Sequence, residues 1–189
     1  MFPIALVTGF GRFEGLFSFV AQVLAIVPDL PGSYGRVAFY RMTLSSCARE
    51  FAMGTGAYFT HPQVSVGDGV GIAQSCVIGY ATIGDGAMFG PHVQVLSGGE
   101  QHRRDSQGRL TDKGGKYTPV SIGEHCFVGA NSVILADVGA KSTVAAGSVV
   151  FTPVPAGVTV GGNPAERWWP PKSNAPAAKQ QRAHRDAAE

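Results

Sequence analysis

The sequence predicts an all-β solenoid of stacked triangular coils. Three observations carry that reading: a six-residue recurrence of large apolar side chains, a small residue after nearly every one of them, and an excess of glycine. The recurrence runs through Val66, Ile72, Ile78, Ile83, Phe89 and Val95, with steps of 6, 6, 5, 6 and 6. It resumes at Ile122, Val128, Ile134, Val138, Val144 and Val150, with steps of 6, 6, 4, 6 and 6. A helix repeats every 3.6 residues and a half-buried strand every 2, so neither accounts for six. A fixed short period marks an architecture of stacked repeats. Glycine fills 26 of 189 positions, about twice its usual share of roughly 7%. A β-sandwich would instead place turns every 8–12 residues between alternating strands.

Within each hexad the residue after the large one is small: Gly67, Ala73, Gly79, Gly84, Gly90, Gly123, Gly129, Gly139 and Ala145. Four residues after the large one comes another small or medium side chain, as at Cys76, Ala87, Cys126, Ser132, Ser142 and Ser148. Such a pattern suits very short strands joined by tight corners. The large side chain points inward onto its copy one coil away, and the small residue lets the backbone turn, with the positive φ that glycine tolerates.

The chain divides into residues 1–59, a helical segment that caps the coil; residues 60–170, the solenoid; and residues 171–189, a polar tail expected to be disordered. Residues 15–27 form a helix with Leu16, Phe19, Val20, Val23, Leu24 and Val27 on its apolar face, ended by Pro28. Residues 34–47 form a second, with Tyr34, Val37, Tyr40 and Leu44 on one side. Both faces are expected to pack on the first coil, because a solenoid needs its open end covered. The other reading of residues 15–27 is contact with a membrane surface, with Arg12, Arg36, Arg41 and Arg49 nearby.

A net charge of +2, with 15% charged residues, gives no field suited to nucleic acid. Three cysteines without a CxxC pair suggest a reducing compartment and no disulfide framework. The first residues lack the charged flank of a signal peptide, and the apolar stretch from Leu16 to Val27 is too short to span a bilayer. A cytoplasmic protein is expected.

Residues 97–118 break the period inside the solenoid with Glu100, His102, Arg103, Arg104, Asp105, Arg109, Asp112, Lys113 and Lys116. A long polar loop within so regular a structure points to function. His102 is its candidate general base, because imidazole accepts a proton near neutral pH. His92 and His125 fall at the fourth place of their hexads, an outward corner; His61 precedes the first full hexad and His184 lies in the tail. Cys76 and Cys126 sit at inward positions and read as core.

Residues 60–170, and above all the run PVSIGEHCFVGANSVILADVGAKSTVAAGSVVFTPVPAGVTVGGNPA at 119–165, resemble the hexapeptide-repeat acyltransferases, a family of left-handed parallel β-helices. The four-residue step from Ile134 to Val138 departs from the family by two residues. It is expected to tighten one corner without ending the solenoid. The resemblance implies acyl transfer from acetyl-CoA with His102 as base. It places the Ala130 N–H at the thioester carbonyl, just after Phe127-Val128-Gly129, where Phe127 stands for a frequent tryptophan. It puts Ala146 and Gly147 along the pantetheine arm, Asn163 in the closing GNPA motif and Arg167 beside a coenzyme A phosphate. It also implies a homotrimer with the active site between neighbours.

The acceptor expected from the polar loop is a sugar hydroxyl, free or lipid-linked. The wider pattern resembles bacterial O-acetyltransferases that decorate cell-surface polysaccharides. The alternatives are N-acylation of an amine, a zinc enzyme like the γ-carbonic anhydrases, and a non-catalytic scaffold. Zinc needs three histidines, two of them close in sequence. His61, His92, His102 and His125 offer no near pair, so no metal is expected.

Overall fold

The computed structural model of the chain describes residue 3 and residues 13–98, 102–111 and 117–168. The expected tail at 171–189, and Arg12, Glu100, Asp112, Lys113 and Lys116, lie outside the described residues.

The strands are two or three residues long and climb in parallel through three sheets, giving a solenoid of about six coils. The first face stacks Ser46–Cys47, Ser65–Val66, Ala81–Ile83 and Val120–Ile122, and continues through bridges at Val138 and Val154. The second stacks Phe51–Met53, Val70–Ile72, Met88–Phe89, Phe127–Val128, Thr143–Val144 and Thr159–Gly161, and closes with the antiparallel Glu166–Arg167. The third stacks Tyr58–Phe59, Val77–Ile78, Gln94–Val95, Val133–Ile134 and Val149–Val150. Every large hexad position from Val66 to Val150 is buried in one continuous core. The short step to Val138 keeps its place in the first face, as expected. The solenoid begins at Ser46, ahead of the boundary expected at residue 60.

The corners correct one expectation. The glycine directly after the large residue is not the one with positive φ. That conformation falls two residues later, at Gly69, Ser75, Gly86, His92, His125, Asn131, Lys141, Gly147 and Gly157. The first glycine is needed for room instead. A Cβ built on Gly129 would collide with the backbone N of Ala146 in the next coil.

Helix α1, Glu14–Ala25, and helix α2, Asp29–Thr43, precede the coils. The second starts five residues earlier than the expected 34–47, because Pro31 lies in the first turn, where its missing N–H is no loss. The expected inward faces hold in part: Tyr40, Val37 and Leu44 of the second set pack on the core, as do Val20 and Leu24 of the first. Helix α1 buries Phe17, Ala21 and Ala25, half-buries Val20 and Leu24, and leaves Leu16, Phe19, Val23 and Val27 exposed. The two alanines let the backbone approach the coil end while Phe17 enters the core. Helix α2 buries Arg36, Phe39, Tyr40 and Thr43 and exposes Tyr34. Phe17, Phe39, Tyr40 and Phe59 form an aromatic stack, with centroids 5.6 Å apart for Phe17–Phe39 and 4.8 Å for Tyr40–Phe59.

Arg36, which the alternative reading set beside a membrane surface, is fully buried. Its Nη1 donates to the carbonyls of Leu24 at 3.0 Å and Val27 at 2.8 Å, and its Nη2 to Met53 at 3.1 Å. These bonds satisfy carbonyls left open at the end of α1 and tie the helical hairpin to the first coil. Burial lowers the Arg36 pKa from its ordinary value, against a smaller opposing effect of Tyr40. No helix among the described residues is long and apolar enough to cross a membrane.

Candidate active site

The hexad places one residue of every coil at the corner between the second and third faces. Ala130 follows Phe127–Val128 and precedes Val133–Ile134, so it stands at this corner. Ala146 and Gly147 occupy the same corner one coil on, and Gly162 and Asn163 follow at the next. The Gly147 N–H donates to the Ala130 carbonyl at 2.8 Å, so the rungs are joined by backbone bonds. Gly129 brings the two rungs close because it has no side chain. No acceptor among the described residues takes the N–H of Ala130 or of Ala146. Gly162 differs: its N–H donates to Ser148 Oγ at 3.2 Å.

Phe127 points outward from the second face, half exposed, in register with Met88 and Thr143. Asn163 is exposed beyond the last corner, and Arg167 is exposed on the strand that pairs back onto Val160. The cofactor-side residues named from the sequence therefore gather on one corner, one face and the end of the solenoid.

His102 lies elsewhere. Its loop leaves Gln94–Val95 on the third face and returns at Val120–Ile122 on the first, so its roots are at a different corner. His102 is exposed and precedes a small hairpin in which Arg103–Arg104 pairs with Leu110–Thr111. Asp105 braces the turn: its carboxylate accepts from the N–H groups of Gln107 and Arg109 and pairs with Arg109 Nε at 2.9 Å. These bonds hold the Asp105 carboxyl below its ordinary pKa. The returning arm carries Tyr117, whose ring lies 5.3 Å from that of His61.

Two residues at the alanine corner were not assigned to the site from the sequence. His92 and Asn131 both adopt positive φ there, and the Asn131 N–H donates to the Pro91 carbonyl at 2.9 Å. Their phase in the hexad was the signal that could have found them. Cys76 and Cys126 are buried in the core, as expected, and burial raises the pKa of both thiols. Their thiols donate to the carbonyls of Gly90 at 3.1 Å and Gly139 at 3.0 Å.

Residues 119–152 match the family model described as the hexapeptide repeat of succinyl-transferase. Over 126 residues the chain is 37% identical to nodulation protein L of Rhizobium leguminosarum bv. viciae, a stretch that is 60% of this chain and 65% of that protein. The chain thus spans just under two thirds of that relative's length. In fold it is similar to the hexapeptide-repeat acetyltransferase VCA0836 of Vibrio cholerae O1 biovar eltor, solved with acetyl coenzyme A. That match has a TM-score of 0.68 at 24% identity and covers 87% of this chain and 88% of that one. It is also similar to a maltose O-acetyltransferase of Clostridium difficile 630, with a TM-score of 0.65 at 22% identity, covering 83% and 87%. The chain carries the hexapeptide repeat, and in sequence and fold it resembles the hexapeptide-repeat acyltransferases.

Proposed function

We propose that this protein transfers an acetyl group from acetyl-CoA to a sugar hydroxyl, directly and without an acyl-enzyme. The observation that carries the reading is the Ala130 N–H, a backbone donor without an acceptor among the described residues, on a corner of the repeat that the chain shares with an acetyl-CoA-binding fold. A donor in that position is suited to the oxyanion that forms on a thioester carbonyl under attack. Ala146, Gly147 and Asn163 continue the same corner and offer a track for the pantetheine arm, with Phe127 beside it and Arg167 at the end for a phosphate. His102 takes the proton of the attacking hydroxyl. The hydroxyl oxygen then bonds to the carbonyl carbon, the bond to sulfur breaks, and His102 returns the proton to the sulfur so that coenzyme A leaves as the thiol.

Ala130 and the root of the His102 loop stand at different corners of the prism. Two copies side by side would bring the loop of one against the alanine corner of the next, and three such contacts close a ring. This supports a homotrimer with its sites between neighbours. The acceptor class rests on the polar residues of the loop and on the sugar substrate of the maltose O-acetyltransferase of this fold. A place in the cytoplasm, with the exposed row Phe19, Val23 and Ile26 toward the inner face of a membrane, suits a lipid-linked sugar in polysaccharide assembly.

The test is release of free coenzyme A thiol from acetyl-CoA across a panel of nucleotide sugars, lipid-linked sugars and amino sugars. Turnover dependent on a hydroxyl-only sugar supports the reading. Turnover confined to amines makes the protein an N-acyltransferase, and no turnover with any acceptor refutes transfer to sugars.

A further inference from the structure

A groove on the second face lies outside the site just described. It runs between helix α2 and the outer surface of the first coils, with a volume of about 670 Å³. That is within the range of sites that bury small ligands, roughly 300–1,000 Å³. One wall is a single stripe of α2: Leu30, Tyr34 and Val37, then Arg41. The floor follows from strand register. Ala52 pairs with Gly71 and Gly71 with Met88, so two small outward residues lie side by side and Met88 closes the floor.

The groove is polarised. Leu30 also borders Met53 and Gly54, at the far end of the strand Phe51–Met53, so helix and strand run in opposite directions along it. Arg41, in the last turn of the helix, therefore lies at the same end as Arg49, which precedes that strand. Both guanidinium groups are exposed, and among the described residues neither forms an ion pair. Glu50 lies beside them, so the charged end carries two cations and one anion. The other end is formed by Leu30 and Tyr34, both mostly exposed, with the polar side chain of Ser33 between them. From Leu30 to Arg41 the helix rises by about 16 Å at 1.5 Å per residue. An arginine pair suits a phosphate, which it can meet with several hydrogen bonds at once.

We propose that this groove binds a lipid phosphate, a single apolar chain lying along Leu30, Tyr34 and Met88 with its phosphate between Arg41 and Arg49. The inference does not depend on acyl transfer, and its test reads binding alone. Titration calorimetry on the full chain uses decyl phosphate below its micelle concentration, inorganic phosphate for the head, and decyl maltoside for an uncharged chain. Decyl phosphate should bind saturably, at least tenfold tighter than either. The double variant Arg41→Gln/Arg49→Gln should weaken it tenfold or more, and Ala52→Leu, which fills the floor, should do the same. Both variants should keep the wild-type unfolding midpoint. Absence of saturable binding overturns the proposal; a second copy covering the groove would give that result. So does inorganic phosphate binding as tightly as decyl phosphate, or binding that both variants leave unchanged.

Discussion

The Thr118 N–H donates to the Ser97 carbonyl at 3.1 Å, across the neck of the insertion that carries His102. Ser97 is itself buried, and its Oγ accepts from the Tyr80 N–H at 2.8 Å. The neck of the insertion is thus closed on the coil by bonds in which His102 takes no part.

His102→Ala should therefore leave the fold intact while removing the proposed base. Turnover with the true acceptor should fall by roughly 10²–10⁴. Affinity for coenzyme A should change little, because the lost interaction matters mainly in the transition state. Steady-state kinetics beside a coenzyme A binding titration separates the two effects. Near-normal turnover would place the base elsewhere, and His92, at the alanine corner, is then the next residue to change.

Gly129→Ala and Gly147→Ala should both destabilise, for different reasons. At Gly129 the added Cβ meets backbone in the next coil, which must move; overpacking of this kind costs about 1–3 kcal/mol. At Gly147 the space is open but φ is +71°, and a left-handed residue with a Cβ costs about 1–2 kcal/mol. Gly147→Asn should recover part of that loss, since asparagine tolerates the conformation, as Asn131 does one coil earlier. Urea unfolding of the three variants checks the order.

Arg36→Ala should cost about 3 kcal/mol, because the carbonyls of Val27 and Met53 lose the guanidinium donor and that of Leu24 keeps only its backbone bond. The damage should begin in the helical hairpin. Hydrogen exchange should show α1 and α2 opening before the coils, whereas uniform loosening would argue against Arg36 as the tie between them.

Cys47 should be slow to alkylate at pH 8. Burial pushes its thiol up from 9.0 to about 11, against a smaller lowering by Arg41. The thiolate is the reactive form, so the rate should climb with pH toward 11. The unfolded chain ionises first, near 9, so this group favours unfolding as pH rises from 9 to 11. Native protein at pH 8 should label slowly, and urea should release all three thiols counted in the sequence.

Light scattering should give a mass near three times the 19.7 kDa chain. A monodisperse monomer would leave Ala130 and the root of the His102 loop on separate corners with no neighbour to join them.

The solenoid was legible because its period is written in single residues. Val66 to Val150 mark the core one by one, and even the short step to Val138 could be followed. The helices were harder to orient. Larger side chains in α1 suggested Leu16, Phe19 and Val23 as the inner face, but the coil end selects Phe17 with two alanines, a matter of fit that hydropathy does not encode. Arg36 is hard to place for a related reason: a charge reads as surface until four carbonyls surround it. The alanine corner came from the family resemblance at Ala130 and Ala146, and the separation of His102 from it was not legible. Which corner an insertion leaves depends on how many strands precede it, and that count needs the coils in place.

The corner residues Ala130, Ala146 and Gly162 belong to successive coils, and neighbouring strands lie about 4.8 Å apart. Three rungs thus mark out roughly 10 Å in equal steps. The edge of this protein is a graduated rule, and whatever lies against it is measured in whole coils. Adding a coil would lengthen the scale by one division and leave the spacing as it was.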